Sequence, residues 1–333
     1  MLQTLPLVLY ILMVEVSIGS MSVLVFLDWR NEVKRGFLVS YAFIYLFLTG
    51  LTYLFQQNFA SQSLLDSYTQ LDKAWTGAQA LPLLLFFLLM IPYTLFLLLD
   101  KSAGIDGKVE REKAVAQGEA APRGSVVRLL RLISGVATVV AGLVTLFVLA
   151  MIFRPLASAN LGGVFTIASF FAAAFALGGV MTAMWLGHWY LVTPALSEKP
   201  LLFATTIVLV AVFAQVIFSL AIGPNTAYVN KPSTAVSTPA AQATAAPTST
   251  VTKQQGTQVK PEGAPVVTPL SSNAINWIRI LVSFVMPLIL GGLAWKLVRD
   301  RSFQSATGML YLVVVCTLAG EAMARGLFLL GLS

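Results

Sequence analysis

Long apolar runs separated by short polar segments form the main pattern of this chain. A helix needs about 20 consecutive apolar residues to cross the hydrocarbon core of a bilayer. No segment alternates apolar and polar residues over about ten positions, which is the pattern of strands in a transmembrane barrel. The chain is therefore predicted to be an all-α, polytopic transmembrane helix bundle of about eight spans, at positions 5–27, 37–55, 80–99, 126–152, 162–192, 201–222, 274–297 and 306–330.

The composition supports the same class of protein. Hydrophobic residues make up 57% of the 333 positions and charged residues only 11%, whereas about 25% charged residues are usual in soluble domains. So few charges would not cover the surface of a soluble protein of this size. The composition therefore predicts an integral membrane protein surrounded by the lipid bilayer.

The counts of cysteine and histidine limit the possible metal chemistry. The chain has one cysteine, Cys316, and one histidine, His188. These counts exclude a disulfide within the chain, a zinc site of four cysteine and histidine ligands, and a cysteine-ligated iron–sulfur cluster. A haem held by two histidines of this chain is impossible, while a haem with a different second ligand is left open. We therefore predict no metal cluster in this chain.

Basic residues are distributed unequally between the loops. Loops one, three, five and seven carry 13 lysines and arginines, and loops two, four and six carry five. Because cytoplasmic loops are enriched in basic residues, this difference predicts a multi-pass protein with both termini extracytoplasmic. We expect the membrane to be a bacterial cytoplasmic (inner) membrane. Loop three, at about 100–125, is then cytoplasmic. It also contains acidic residues, so the net charge of +7 indicates topology and does not predict a nucleic-acid partner.

The sixth loop, at 225–272, differs from the others in composition. It is rich in Thr, Ala and Pro and has almost no large apolar residues, so it cannot bury enough surface to fold alone. It is predicted to be a disordered extracytoplasmic linker between a six-span unit, 1–224, and a two-span unit, 273–333. Two interpretations are open: an insertion without function, or a tether for an external partner.

Two acidic residues, Glu15 and Glu321, lie well inside predicted spans. A charge at the centre of a bilayer costs about 2.5–3.5 kcal/mol on insertion scales, and such residues usually mark an ion, proton or ligand site. Glu321 and Arg325 are four residues apart on one helix and are therefore able to pair with each other. Glu15 has no basic residue on its own helix, so burial favours its neutral acid form. These three residues are the candidates for binding a quinol or a proton.

A purely structural interpretation of these charges is also open. Glu321 and Arg325 would then neutralise each other within the bundle, and Glu15 would be a neutral acid hydrogen-bonded across a helix interface. The small residues of the segment 17–20, SIGS, favour close helix packing beside Glu15.

Three further residues are secondary candidates. His188 and Tyr190 lie in the aromatic segment 184–190 at the predicted cytoplasmic end of the fifth span. They are part of an interfacial aromatic belt, or His188 is a proton carrier or an axial haem ligand. The different depths of His188 and Glu15 argue against one shared site. Arg279 begins the seventh span, where it either snorkels to lipid headgroups or, with Arg325, makes the outer half of the bundle positive.

The two ends of the chain resemble a known family. The segment from Leu318 to Phe328, LAGEAMARGLF, is similar to the last helix of the membrane-anchor subunits of dimethyl sulfoxide reductase-like molybdoenzymes. The segment 6–19 resembles the first helix of the same family. About 40 residues carry the resemblance, and Glu15 replaces an uncharged polar residue. The resemblance implies that Glu321 and Arg325 occupy positions of the family motif.

The resemblance implies a quinol-interacting anchor subunit of a membrane redox complex. Such a subunit binds a quinone, for example menaquinone, and is not catalytic alone. It passes electrons to an iron–sulfur subunit, which passes them on to a molybdenum catalytic subunit. Two other functions are kept as alternatives: a proton- or ion-coupled transporter that uses Glu15, and a non-catalytic membrane scaffold or assembly factor. Walker-type, GxSxG and HExxH motifs are absent from the sequence.

Overall fold

The computed structural model describes residues 5–117, 126–157, 162–193, 197–222 and 272–329. All regular elements in these ranges are helical. A 3₁₀ turn (Arg154–Leu156) follows α7, and a π-helical turn (Leu281–Val285) joins α10 to α11. The α-helices are α1 (Leu5–Arg30), α2 (Arg35–Phe59), α3 (Gln62–Asp66), α4 (Lys73–Thr76), α5 (Ala80–Leu99), α6 (Gly104–Ala116), α7 (Val126–Phe153), α8 (Gly162–Val192), α9 (Lys199–Ile222), α10 (Ser272–Ile280), α11 (Met286–Arg299) and α12 (Phe303–Leu329).

Eight helical segments in the described ranges are long and apolar enough to cross a membrane. The predicted number of spans is therefore confirmed, and most boundaries agree within a few residues. The third span, α5, begins and ends at the predicted residues. The short helix α4 lies directly before it, so the apolar helical segment as a whole covers Lys73–Leu99. The Asp72 side chain caps α4 by accepting a hydrogen bond from the Ala74 N–H, which stabilises the first turn of this short helix.

The third loop contains a polar helix, α6, that the apolar pattern does not predict. It begins at Gly104, whose φ of +74° is readily adopted only by glycine. A Cβ at this position would overlap the carbonyl oxygen of Val33. The neighbouring Ile105 N–H donates to the same carbonyl at 2.9 Å. The start of α6 is therefore fixed against the loop between α1 and α2.

Helix α1 is the central helix of the bundle. Its apolar segment is 89% buried by other helices, against 22–56% for the other seven spans. It packs against α2, α7, α8 and α12. A Cβ on Gly19 would overlap the carbonyl oxygen of Ala174, and a Cβ on Gly178 would overlap the backbone of Gly19. The predicted close approach beside Glu15 is thus a contact between the backbones of α1 and α8.

The last two spans pack directly against the first six. Helix α11 lies against α9, and α12 lies against α8 and α1, so the first and last helices of the described chain are neighbours. The predicted linker lies outside the described residues except for Ser272, where α10 begins. We use "outer end" for the end of the bundle where α1 begins and α12 ends, which the basic loops predict to be extracytoplasmic, and "inner end" for the opposite end.

Candidate functional site

The three primary candidates meet in the outer half of the bundle. Helix α1 contributes Glu15, and α12 contributes Glu321 and Arg325. Arg325 Nη2 donates to Glu15 Oε1 at 2.5 Å, while Arg325 Nε lies 3.7 Å from Glu321 Oε2. Arg325 therefore pairs more closely with Glu15 on another helix than with Glu321 on its own helix.

Helix α9 adds a fourth polar group to this cluster. The side-chain amide of Gln215 donates a hydrogen bond to Glu321 Oε1. Gln215 is not among the residues predicted from the sequence, because its side chain carries no charge. An uncharged amide inside the apolar segment 211–218, AVFAQVIF, is the signal that would have indicated it. We call Glu15, Gln215, Glu321 and Arg325 the outer cluster.

The outer cluster is enclosed by the helices around it. The exposed fractions of Glu15, Glu321 and Arg325 are 0%, 5% and 6%. The guanidinium carbon of Arg325 lies 3.9 Å from the centroid of the Phe170 ring on α8. A cation over an aromatic face is stabilised by the negative face of the ring. Phe170 therefore both shields Arg325 from lipid and contributes a favourable interaction.

The outer cluster has hydrogen-bonding capacity that the described residues do not use. Glu15 Oε2 and Arg325 Nε are buried and have no hydrogen-bond partner among the described residues. Arg279 lies within electrostatic range of both Glu321 and Arg325. The suggested positive outer half is not observed, because Arg325 lies between two carboxylates. The cluster instead combines a free acceptor with cationic donors, as would suit a small polar ligand or a proton.

A second buried charge cluster lies in the inner half of the bundle. Arg131 on α7 approaches two carboxylates: its Nη1 lies 2.9 Å from Asp100 Oδ2 and its Nε lies 3.3 Å from Asp28 Oδ2. The Tyr93 hydroxyl donates to Asp28 Oδ2 at 3.3 Å. All four side chains are buried. We call Asp28, Tyr93, Asp100 and Arg131 the inner cluster.

The inner cluster is not predicted from the sequence. Asp28 and Asp100 lie at span ends, where acidic residues are common, and Arg131 lies among apolar residues near the start of α7. The backbone N–H and the hydroxyl of Ser102 donate to Asp100 Oδ1 at 2.9 Å and 2.6 Å. Arg35 donates to the carbonyl oxygen of Asp100 at 3.1 Å. These bonds connect the inner ends of α1, α2, α5 and α7.

The secondary candidates at the inner end do not join either cluster. His188 is exposed on the surface of α8, about 27 Å along the helix axis from Phe170. Tyr190 is buried, its hydroxyl donates to the Ser197 carbonyl, and its ring centroid lies 4.9 Å from that of Phe303. His188 therefore lies far from Glu15 along the bundle. Tyr190 stabilises the connection between α8 and α9.

Metal ligation and similarity to known proteins do not help to identify the function of the site. Within the ranges that the structure describes, no group of three or more His, Cys, Asp or Glu side chains could hold a metal ion. No protein-family model matches the chain, and no curated protein matches it either. The candidate site is therefore defined by the geometry of the outer cluster.

Proposed function

We propose that this membrane protein is a quinol-interacting anchor subunit of a redox complex in a bacterial cytoplasmic membrane. The observation that carries the proposal is the ion pair between Glu15 and Arg325. It joins the two helices that resemble the anchor subunits of dimethyl sulfoxide reductase-like enzymes. Both residues lie inside the bundle, where ionisable side chains usually have a function.

The chemistry of quinol oxidation fits the groups of the outer cluster. A quinol that becomes a quinone loses two electrons and two protons. Glu15 Oε2 has no hydrogen-bond partner among the described residues and accepts the first quinol proton. After it passes this proton to water at the outer end, it accepts the second. Arg325 then balances the remaining carboxylate, Glu321, which Gln215 keeps in place. The electrons leave through an iron–sulfur subunit to a molybdenum catalytic subunit, because the sequence lacks ligands for a cluster.

Affinity purification tests the assembly part of this proposal. The tagged chain is solubilised in mild detergent, and the eluate is analysed for bound proteins, iron, molybdenum and extracted quinone. We expect an iron–sulfur protein and menaquinone or another quinone in the eluate. A chain that elutes alone, without quinone, would contradict the proposal.

Substitution of Glu15 tests the proton-acceptor role. Glu15→Gln keeps the size of the side chain and removes the proton-accepting carboxylate. We expect it to lower quinol-driven electron transfer by at least tenfold while the complex still assembles. Glu110→Gln on the exposed polar helix α6 is the matched control and should behave as wild type. Equal activity of both variants would favour a scaffold or assembly factor without chemistry.

A proton- or ion-coupled transporter is the second candidate. The observation that favours it is the inner cluster, because Asp28 and Glu15 place carboxylates on α1 about 20 Å apart along the helix axis. Buried ionisable groups at two depths are typical of a proton or ion pathway. The chain reconstituted in liposomes should then dissipate an imposed pH gradient, and Glu15→Gln should abolish this flux. No flux with the wild-type chain would exclude this candidate.

A further inference from the structure

The π-helical turn in the seventh span lies beside the outer cluster. The Met286 N–H bonds to the Leu281 carbonyl five residues earlier, and the next residue, Pro287, has no N–H to donate. A proline ring clashes with the carbonyl four residues before it in an α-helix, here that of Ser283, and a wider turn relieves this clash. π-Helical turns of this kind occur frequently at functional sites.

This turn contacts α12 directly before Glu321. A Cβ on Gly320 would lie 2.6 Å from Ser283 Cα and 2.8 Å from Ser283 Oγ, so only glycine allows this approach. The hydroxyl of Ser283 is consequently held against the backbone turn that presents Glu321. Arg279 lies four residues before Ser283 on the seventh span, within electrostatic range of Glu321 and Arg325.

The two polar side chains of this region have unused donors. Ser283 is 4% exposed, and its Oγ has no hydrogen-bond partner among the described residues. Arg279 Nε is buried and also has no hydrogen-bond partner there. Leaving a buried polar group without a partner costs about 1–3 kcal/mol, so a ligand oxygen that accepted from either group would be favoured there. On the other side of Arg325, Glu15 Oε2 is an unused acceptor.

The geometry points to Arg279 and Ser283 as the residues that hold a carbonyl oxygen of the quinone ring. This inference rests on the function proposed above and adds two binding residues to it. A quinone carbonyl accepts hydrogen bonds and carries no charge, so a neutral hydroxyl and one guanidinium N–H match it. Glu15 then belongs to the same site and accepts the quinol proton there. The seventh span is thereby part of the binding site, in addition to the two end helices.

Quinone binding to the full chain in lipid nanodiscs tests this inference. The probe is menadione, a naphthoquinone without a tail, and the signal is quenching of tryptophan fluorescence, for which Trp277 is two residues from Arg279. We expect Ser283→Ala and Arg279→Gln each to raise the Kd about tenfold, the effect of one lost hydrogen bond to a ligand. Arg279→Lys keeps the charge but removes Nε, and an intermediate Kd is expected.

Ser22→Ala is the matched control. Ser22 is a buried serine whose hydroxyl donates to the Ile18 carbonyl of its own helix, and its variant should bind menadione as wild type does. Thermal unfolding of every variant separates loss of binding from loss of folding. Unchanged Kd values for Ser283→Ala and both Arg279 variants, with a raised Kd for Glu15→Gln, would overturn this inference and leave the proposed function standing. Absence of menadione binding by the wild-type chain would overturn both.

Discussion

The guanidinium of Arg325 lies 2.5 Å from a carboxylate oxygen of Glu15, although 310 residues separate the two along the chain. A charge buried in a bundle is tolerated when a partner of opposite charge contacts it, and its removal leaves the partner uncompensated. Loss of Arg325 therefore leaves Glu15 uncompensated, whereas Arg325 keeps Glu321 as a partner when Glu15 is replaced.

Substitution of Arg325 alone is expected to be strongly destabilising. Arg325→Met should lower the free energy of unfolding by about 3–5 kcal/mol, because Glu15 and Glu321 would both lose the cation that contacts them. Thermal unfolding in detergent measures the effect. The double variant Arg325→Met with Glu15→Gln should be more stable than Arg325→Met alone. Equal stability of the two variants would mean that Glu15 is not charged in the folded protein.

The amide of Gln215 should stabilise Glu321. Gln215→Leu removes the donor but keeps an apolar side chain of similar size. We expect a loss of about 1.5–3 kcal/mol, the range for hydrogen bonds to charged groups. Gln57→Leu, at an exposed position of α2, is the control and should have a small effect in the same unfolding assay. A larger loss for the control would contradict the structure.

The inner cluster should be as important for stability as the outer cluster. Arg131→Leu leaves Asp28 and Asp100 buried without their shared cation, and a loss of about 3–5 kcal/mol is expected. Urea- or heat-induced unfolding of the purified chain measures the effect. The result that would contradict this description is a variant as stable as wild type.

The ion pair between Glu198 and Arg301 at the protein surface is a control for the buried ion pairs of the two clusters. Arg301 Nη2 lies 2.7 Å from Glu198 Oε2, and this hydrogen bond holds the pKa of Glu198 below its ordinary value. A lowered pKa means that the stabilisation is present above the ordinary pKa and is lost as the pH falls through the lowered pKa. Because the pair is exposed, Glu198→Gln should leave the unfolding temperature at neutral pH unchanged.

The contact between α1 and α8 should not tolerate a larger residue at position 19. Gly19→Ala places a Cβ against the carbonyl of Ala174, and separation of the helices should cost about 1–3 kcal/mol. Gly308→Ala is the matched control, because no atom lies within 4 Å of a Cβ there. Alanine in an open helical position should stabilise the helix by about 0.5–1 kcal/mol. Thermal unfolding should therefore shift in opposite directions for the two variants.

The spans could be predicted from the sequence because each one is a long apolar run. In hydrocarbon the backbone must satisfy its own hydrogen bonds, so such runs form helices whatever their neighbours are. The π-helical turn was not predicted, although Pro287 indicates some local distortion. Helix α6 was also missed, since a polar helix has no apolar stripe to reveal it.

The candidate site was only partly predictable. Glu15, Glu321 and Arg325 stand out because charge is costly in a bilayer, but which carboxylate Arg325 contacts depends on how α1 and α12 pack. Gln215 carries no charge and gives a weaker signal. Arg131 lies within the fourth predicted span, but its partners lie near span ends, where acidic residues are ordinary, so the inner cluster is not predicted. Pairing between distant helices is therefore the part that composition and spacing do not determine.

The pairing of Glu15 with Arg325 has a consequence for the biogenesis of this protein. Glu15 is synthesised 310 residues before its partner, a delay of roughly 15–60 s at about 5–20 residues per second. During this interval α1 enters the membrane without the cation that later compensates its carboxyl group, and the neutral acid is the form that enters hydrocarbon at the lower cost. Formation of the ion pair is thus a late event, and it marks the moment at which α12 packs against α1.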